Sequence, residues 1–357
     1  MRKGDAYDIL AAHLDFPGSA RLSAVLEEMM TPQQAQIAAV LPGSPQEVAQ
    51  KLGISLEVVK QELDSLFEMG AVFTRKLDRV ESYRFARNIG QLHDATKTAP
   101  ARIKSKSPKF YRLWDDFASN EMFPSFARRR LEADQPYSRV VPAYKAIEGL
   151  PGVLPCEDFR ELLKAQELIA VVPCPCRYGT TVVERHCNVT KEEERWNCFQ
   201  LGRGAEYALK RGSGIKLSLE EALKLVDQIE EDGLIHRWDN KADMVGASVS
   251  CQCCRDCCFP YVSLDQAKMS IGKAWAKSRY QAYVDTEQCK GCQTCINRCQ
   301  FDAIDMQRPA GSKKLKAVVD GEKCFGCGVC VVTCETGSLK LRAVRPPEYI
   351  PGALALP

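Results

Sequence analysis

The sequence has almost no charge of one sign to spare. Forty-nine basic residues face forty-six acidic ones, a net charge of +3, so no long-range field speaks for nucleic acid or a membrane surface and only local clusters could. No stretch approaches the run of about eighteen uncharged apolar residues that a membrane span needs. The start, Met1-Arg-Lys-Gly-Asp-Ala-Tyr-Asp8, lacks the apolar core of a signal peptide, and the expectation is a cytoplasmic chain. Dinucleotide chemistry has no fingerprint: Gly202-Arg-Gly204 and Gly212-Ser-Gly214 follow no predicted strand and lack a third glycine in place. A C-x2-C-H haem attachment is missing as well.

What the chain has in excess is cysteine. Its eighteen thiols exceed what packing needs, and in a reducing cytoplasm they read as metal ligands rather than disulfides. An anaerobic or low-oxygen host is the matching expectation. Between Cys289 and Cys334 the pattern C-x2-C-x2-C-x3-C occurs twice, as Cys289, Cys292, Cys295, Cys299 and as Cys324, Cys327, Cys330, Cys334. Three thiolates spaced two residues apart around a tight turn can occupy three corners of one cubane, while the following helix carries the fourth away.

This doubled run resembles the bacterial ferredoxin type with two 4Fe-4S clusters. The resemblance implies one cluster on Cys289, Cys292, Cys295 and Cys334, and another on Cys324, Cys327, Cys330 and Cys299. Gly291, Gly326 and Gly328 suit a backbone folded closely around a cluster. The chain departs from the family where a proline should follow the fourth cysteine: Gln300 and Glu335 stand there instead. Polar groups at those positions are expected beside the sulfurs, where hydrogen bonds tune the reduction potential.

At 357 residues the chain has room for two or three domains. The expected class is α+β, divided into a winged-helix-like domain (1–90), a basic and aromatic connector (91–150), a Cys-rich α/β middle domain (151–275), a ferredoxin-like βαββαβ dicluster domain (276–345) and a tail (346–357). In the first, Ser44-Pro45-Gln46-Glu47 carries the signals of a capped helix start. Gly53 ends that helix, Ser55 caps a second, and Val59, Leu63, Leu66 and Phe67 form its apolar face. Segments 71–74 and 82–85 read as two strands around a charged turn. This order resembles a winged helix-turn-helix. The exposed face of its second helix offers Glu57, Lys60, Gln61, Glu62, Asp64 and Glu68. Four acids against one base oppose a phosphate backbone, so protein docking is the preferred reading. The hairpin is more basic, with Arg75, Lys76, Arg79, Arg84 and Arg87 against Asp78 and Glu81. Residues 101–112 hold five bases and no acid, and Arg128-Arg129-Arg130 follows; these are either a solvated face or a dock for an acidic redox partner.

The middle domain holds nine further clustered cysteines. A strand over 168–172 delivers Pro173-Cys174-Pro175-Cys176, and Cys187 and Cys198 follow. Cys174 and Cys176 reach one metal only if the chain turns at Pro175, because side chains alternate along a strand. A capped helix from Ser218 to Gly233 reads as scaffold. Cys251, Cys253, Cys254, Cys257 and Cys258 then crowd into eight residues, which points to metal. Several divisions fit. One cluster could take Cys174, Cys176, Cys187 and Cys198, and another four of the five later cysteines; the two runs could interleave; or zinc could occupy a site. Cys156 stands alone and reads as a core thiol. The whole order, with Gly202-Arg203 and Gly233-Leu-Ile-His236 between the runs, resembles a broad group of multi-cluster iron-sulfur proteins of anaerobic bacteria.

That resemblance implies single-electron transfer within a redox complex, with a flavin or metal oxidoreductase as partner, and names no substrate. An iron-sulfur transcription regulator using the N-terminal domain, and a small-molecule reductase working at a middle cluster, are the alternatives.

Overall fold

The computed structural model describes residues 5–77, 80–98, 108–185, 187–189, 195–309 and 314–355. Helix and strand mix in an α+β arrangement. In the N-terminal part, helix Pro45–Leu52 starts at Ser44, whose Oγ accepts from the Glu47 amide while the Glu47 carboxylate accepts from the Ser44 amide at 2.7 Å. The helix stops at Gly53 in the left-handed region, and Ser55 caps Leu56–Met69. Val59, Leu63, Leu66 and Phe67 are buried along one side of that second helix, as the four- and three-residue spacing requires. Strands Val72–Leu77 and Val80–Phe85 pair antiparallel behind it. Asp78 and Arg79 of the charged turn, and the side chains of Arg75, Lys76 and Glu81, lie outside the described residues.

Residues 91–150 form no mere connector. Helices Ile89–Lys97 and Pro108–Phe117 pack into the N-terminal core, where Phe110, Trp114 and Phe117 are buried with Leu22 and Val25. The aromatics that accompany the basic run repeat four and three residues apart, so one helix face buries them all. Residues 101–107 of that run lie outside the described part. A single π-helical turn, Ala118–Met122, leads into helix Phe123–Glu132, and strand Ser138–Val141 enters a sheet of the middle region.

Two four-stranded sheets build that region. One orders Ile215–Leu217, Ile169–Pro173, Trp196–Leu201 and Val249–Ser250; the other orders Trp275–Ala276, Ser138–Val141, Ile235–Asp239 and Gln252–Cys253. The chain steps from the first sheet to the second between Ser250 and Gln252, with Cys251 at the joint. Helix Leu219–Asp232, with its Ser218 capping box and Gly233 stop, lays Ala222, Val226 and Ile229 on the core. Strand Trp196–Leu201 runs through Gly202 into helix Arg203–Lys210, so Gly202-Arg-Gly204 does follow a strand. Its second glycine serves packing, because a Cβ on Gly204 would collide with the Ser248 carbonyl. Cys156 is wholly buried in a small apolar cluster with Ala242, Ile350 and Ala353.

In the last part the order is strand Tyr280–Val284, helix Thr294–Arg298, strands Ile304–Gln307 and Lys316–Val319, helix Val329–Val332 and strand Leu339–Ala343. The first and last strands pair antiparallel, as do the inner two. Residues 310–313 of the turn between the inner strands lie outside the description. No helix among the described residues is long and apolar enough to cross a membrane.

Candidate metal centres

The two four-cysteine runs fold as near copies, and each sends its fourth thiol across to the other. Cys299 lines one apolar cavity together with Cys324, Cys327 and Cys330. The Cys292 and Cys295 thiols in turn face Cys334, with Cys289 beside them. Backbone amides are aimed at the sulfurs in the same crossed fashion. The Ala282 amide donates to Cys324 Sγ at 3.4 Å and the Ala317 amide to Cys289 Sγ at 3.5 Å. The fourth thiols receive Ala303 N at 3.2 Å (Cys299) and Leu339 N at 3.4 Å (Cys334). Such donors favour the thiolate and the added electron of a cluster. Gly291, Gly326 and Gly328 all take positive φ; at Gly326 a Cβ would also strike the Ser278 hydroxyl and the Tyr280 carbonyl. Burial drives the Cys327 and Cys330 thiols well up from their ordinary value, which is the cost that bonding to a metal removes.

The residues standing where prolines were expected do different work from that foreseen. Gln300 is buried, and its Oε1 accepts from the Arg255 amide at 3.0 Å while its own carbonyl accepts from Tyr261 Oη at 2.5 Å. It braces the Cys254–Cys257 loop of the middle region rather than a sulfur. Glu335 is exposed. The polar groups at Cys334 are instead the Ser338 hydroxyl at 3.3 Å and the Thr336 hydroxyl at 3.7 Å. Burial pushes the Cys334 thiol up, but these hydroxyls and the Leu339 amide outweigh it and the net direction is down.

In the middle region the thiols group across the two sequence runs. Pro175 opens helix Pro175–Val182, so the chain turns after Cys174 and the Cys174 and Cys176 thiols meet. Strand pairing does the rest. Val172 lies opposite Cys198, and Phe199 opposite Ser250, which brings Cys251 against Cys198. Cys251 contacts Cys253, whose Sγ lies 3.3 Å from Cys258 Sγ. Cys174 faces Cys251 and Cys176 faces Cys258. The result is one group of six: Cys174, Cys176, Cys198, Cys251, Cys253 and Cys258.

Cys187, Cys254 and Cys257 form a separate trio with all three sulfurs within 4.8 Å of one another, and Cys187 Sγ and Cys254 Sγ 3.6 Å apart. The set Cys174, Cys176, Cys187 and Cys198 is therefore not gathered as one site, and neither are four of the five later cysteines. Cys253 and Cys254 are neighbours in extended chain, where consecutive side chains leave on opposite faces. Thr180 Oγ1 donates to Cys257 Sγ at 3.5 Å, and the Asn188 amide to Asp256 Oδ2 at 2.9 Å, fastening the Cys187 segment to the loop. His186, next to Cys187, lies outside the described residues.

Two cations no motif had singled out stand at the six-thiol group. Burial lowers the Arg237 guanidinium, but Cys251 first, then Tyr137, Cys253 and Cys258, outweigh it and hold it firmly protonated. Lys97 is pushed down to about 8 by burial, with Cys176 among the groups that oppose the fall. Thiols ionised on a metal in one buried place would need such counter-charge. Sequence offered no route to them: Lys97 lies far along the chain from Cys176, and Arg237 reaches Cys251 only because its strand packs at the sheet joint. His236 is buried too, stacked on Phe159 and held between Gln252 Oε1 and Glu230 Oε1 rather than at a sulfur.

Among known proteins, residues 272–338 match the family described as 4Fe-4S dicluster domain. No curated protein and no solved structure matches the chain.

Proposed function

We propose, taking residues 272–338 as a region of the 4Fe-4S dicluster kind, that this is an iron-sulfur electron-transfer protein. Single electrons would pass between the two ferredoxin-type clusters and a further metal centre on the six middle thiols. The observation that carries this reading is that Cys253 and Cys258 share one continuous buried core with Cys289, Cys295, Cys324, Cys327 and Cys330. Gln300, directly after Cys299, fastens the Cys254–Cys257 loop to the same region. A centre packed into the core of its neighbour needs no solvent-exposed step between them. A flavin or metal oxidoreductase of an anaerobic, cytoplasmic system is the matching partner.

The trio Cys187, Cys254 and Cys257 favours a different occupant. A tetrahedral zinc at about 2.3 Å from each thiolate spaces the sulfurs about 3.8 Å apart, close to the 3.6 Å between Cys187 and Cys254. Cys253 Sγ and Cys258 Sγ of the six-thiol group lie closer still, at 3.3 Å, so it is the trio's separation from the six, not its spacing alone, that marks it as another site. We read the trio as three of the four ligands of a zinc site.

The regulator reading is weaker. Glu57 and Asp64 are exposed on the helix that would meet DNA. The hairpin beside it is engaged by the chain itself: Phe73 stacks on Tyr207 with ring centroids 4.4 Å apart, and Tyr207 Oη donates to the Val72 carbonyl at 3.3 Å. Reduction at the middle centre of a small molecule would require turnover without a partner protein.

Metal content tests the proposal. The ferredoxin-type pair alone holds roughly eight irons per chain. Anaerobically purified protein should exceed that and carry about one zinc. Iron stopping at eight would sink the middle centre, and specific DNA binding that survives salt and competitor would favour the regulator.

A further inference from the structure

A cavity of about 1140 Å³ opens between the N-terminal hairpin and helix Arg203–Lys210. That volume is somewhat above the usual range of small-molecule sites, about 300–1,000 Å³. Five cations line it: Arg84 and Arg87 from the N-terminal side, and Arg203, Lys210 and Arg211 from the middle region. Asp94 and Glu206 are the acids among its lining residues. Its wall includes Cys198 of the six-thiol group and Gln200, whose Nε2 donates to Cys198 Sγ at 3.3 Å.

We propose that this cleft binds an organic anion, carrying carboxylate or phosphate groups, directly beside the six-thiol centre. Three further observations support it. Arg211 is 2% exposed and bridges the two parts by donating to the Glu68 carbonyl at 3.0 Å and the Ala95 carbonyl at 2.9 Å. Its guanidinium lies over the Tyr207 ring, 4.9 Å from the centroid, so a fixed positive charge stands at the cleft wall. Burial lowers the Arg84 guanidinium, and Arg87 and Arg203 lower it further; like charges gathered this way are relieved by an anion. Lastly, helix Arg203–Lys210 begins at Gly202 with no side-chain cap, leaving its first amides without a side-chain acceptor at the cleft. Rigid planar guanidiniums suit carboxylate or phosphate oxygens. The placement of Cys198 means that an occupant lies against the wall of a redox centre, as a substrate or as a ligand that shifts its potential.

The test uses the full-length, metal-loaded protein prepared anaerobically. Citrate and inorganic pyrophosphate are titrated separately by calorimetry at about 0.1 M salt, where exposed charges further apart than about 10 Å are screened. Saturable binding of at least one is expected, and which one binds separates a polycarboxylate from a phosphate. The double variant Arg87→Gln/Arg203→Gln should weaken it at least about tenfold, since charge-assisted bonds are the strong ones. Both side chains are exposed, so the variant should keep the parent's iron content. No saturable binding of either anion, or binding unchanged in the double variant, overturns the proposal. The electronic spectrum of the middle centre should also respond to the bound anion. Only that second readout rests on Cys198 holding metal, so binding without a spectral change would count against the metal assignment and leave the cleft standing.

Discussion

Two regions of this chain gather cysteines, and they do so by opposite means. In the ferredoxin-type region each motif is a local device, three thiols on one turn, and only the fourth must be delivered from the other copy. Its sulfurs stay apart around a cavity. The middle region has no such device. Its thiols come from a strand end, a strand interior, a joint between two sheets and a helix start, and they touch: 3.3 Å between Cys253 and Cys258, 3.6 Å between Cys187 and Cys254. A local motif specifies its cofactor almost by itself. A site assembled from sheet pairing specifies position first, and its chemistry depends on how many thiols, and which counter-charges, the fold brings along.

The sharpest way to break this contrast is to remove one thiol from each kind of site. Cys299→Ala should cost roughly four irons, all from one ferredoxin-type cluster. Cys254→Ala should cost the zinc and no iron. Metal analysis of both variants decides; iron lost from Cys254→Ala would return the trio to the cluster side.

The next effect concerns the joint between the regions. Arg279, at the start of the ferredoxin-type strands, donates to Glu157 Oε2 at 2.6 Å and through Nε to Oε1 at 2.8 Å, with side chains 5% and 2% exposed. Arg279→Ala would strand a buried carboxylate, and denaturant unfolding should record a loss of about 3–5 kcal/mol. A loss below 1 kcal/mol would mean that the two regions do not depend on this pair.

Gln300→Ala removes a smaller contact. Without the acceptor for the Arg255 amide, about 1–3 kcal/mol should be lost. The spectrum of the middle region should change more than that of the cluster on Cys299. The reverse order would restore Gln300 to the potential-tuning role read from sequence.

The smallest effect lies far from any metal. Ser44→Ala should cost about 1 kcal/mol through the lost helix cap. Glu47 is held below the usual carboxylate value, first by the Ser44 amide and then by the Ser44 hydroxyl. Its folded value is the lower one, so its contribution is present above the unfolded value and fades as pH falls through the folded one. The variant keeps the amide and loses only the hydroxyl's share, so acid unfolding curves of parent and variant should narrow, without meeting, as pH falls below about 4, the ordinary carboxylate range.

Much of this was legible beforehand. The caps at Ser44, Ser55 and Ser218 and the stops at Gly53 and Gly233 are local signals, and each helix obeys them. The aromatic spacing of Phe110, Trp114 and Phe117 was readable in the same way, yet the basic residues around it drew the segment toward a linker. Gln300 misled for another reason: its position beside a ligand says nothing about where its amide points, and a partner forty-five residues away claims it. Arg237 and Lys97 left no sequence signal, because charge compensation in a core is set by whichever strand or helix packs there.

By itself, then, the amino-acid sequence determined the doubled four-cysteine motif, the capped helix starts at Ser44, Ser55 and Ser218 and the two runs into which the middle cysteines fall. All of these depend on spacing within a turn or two of chain. Only the tertiary structure decided that Cys187 leaves its own run to join Cys254 and Cys257, that six other thiols meet at the joint of two sheets, and that a cation-lined cleft opens beside Cys198. Those outcomes follow from strand register, and register is set by the burial of whole sheet faces rather than by any residue near the sulfurs.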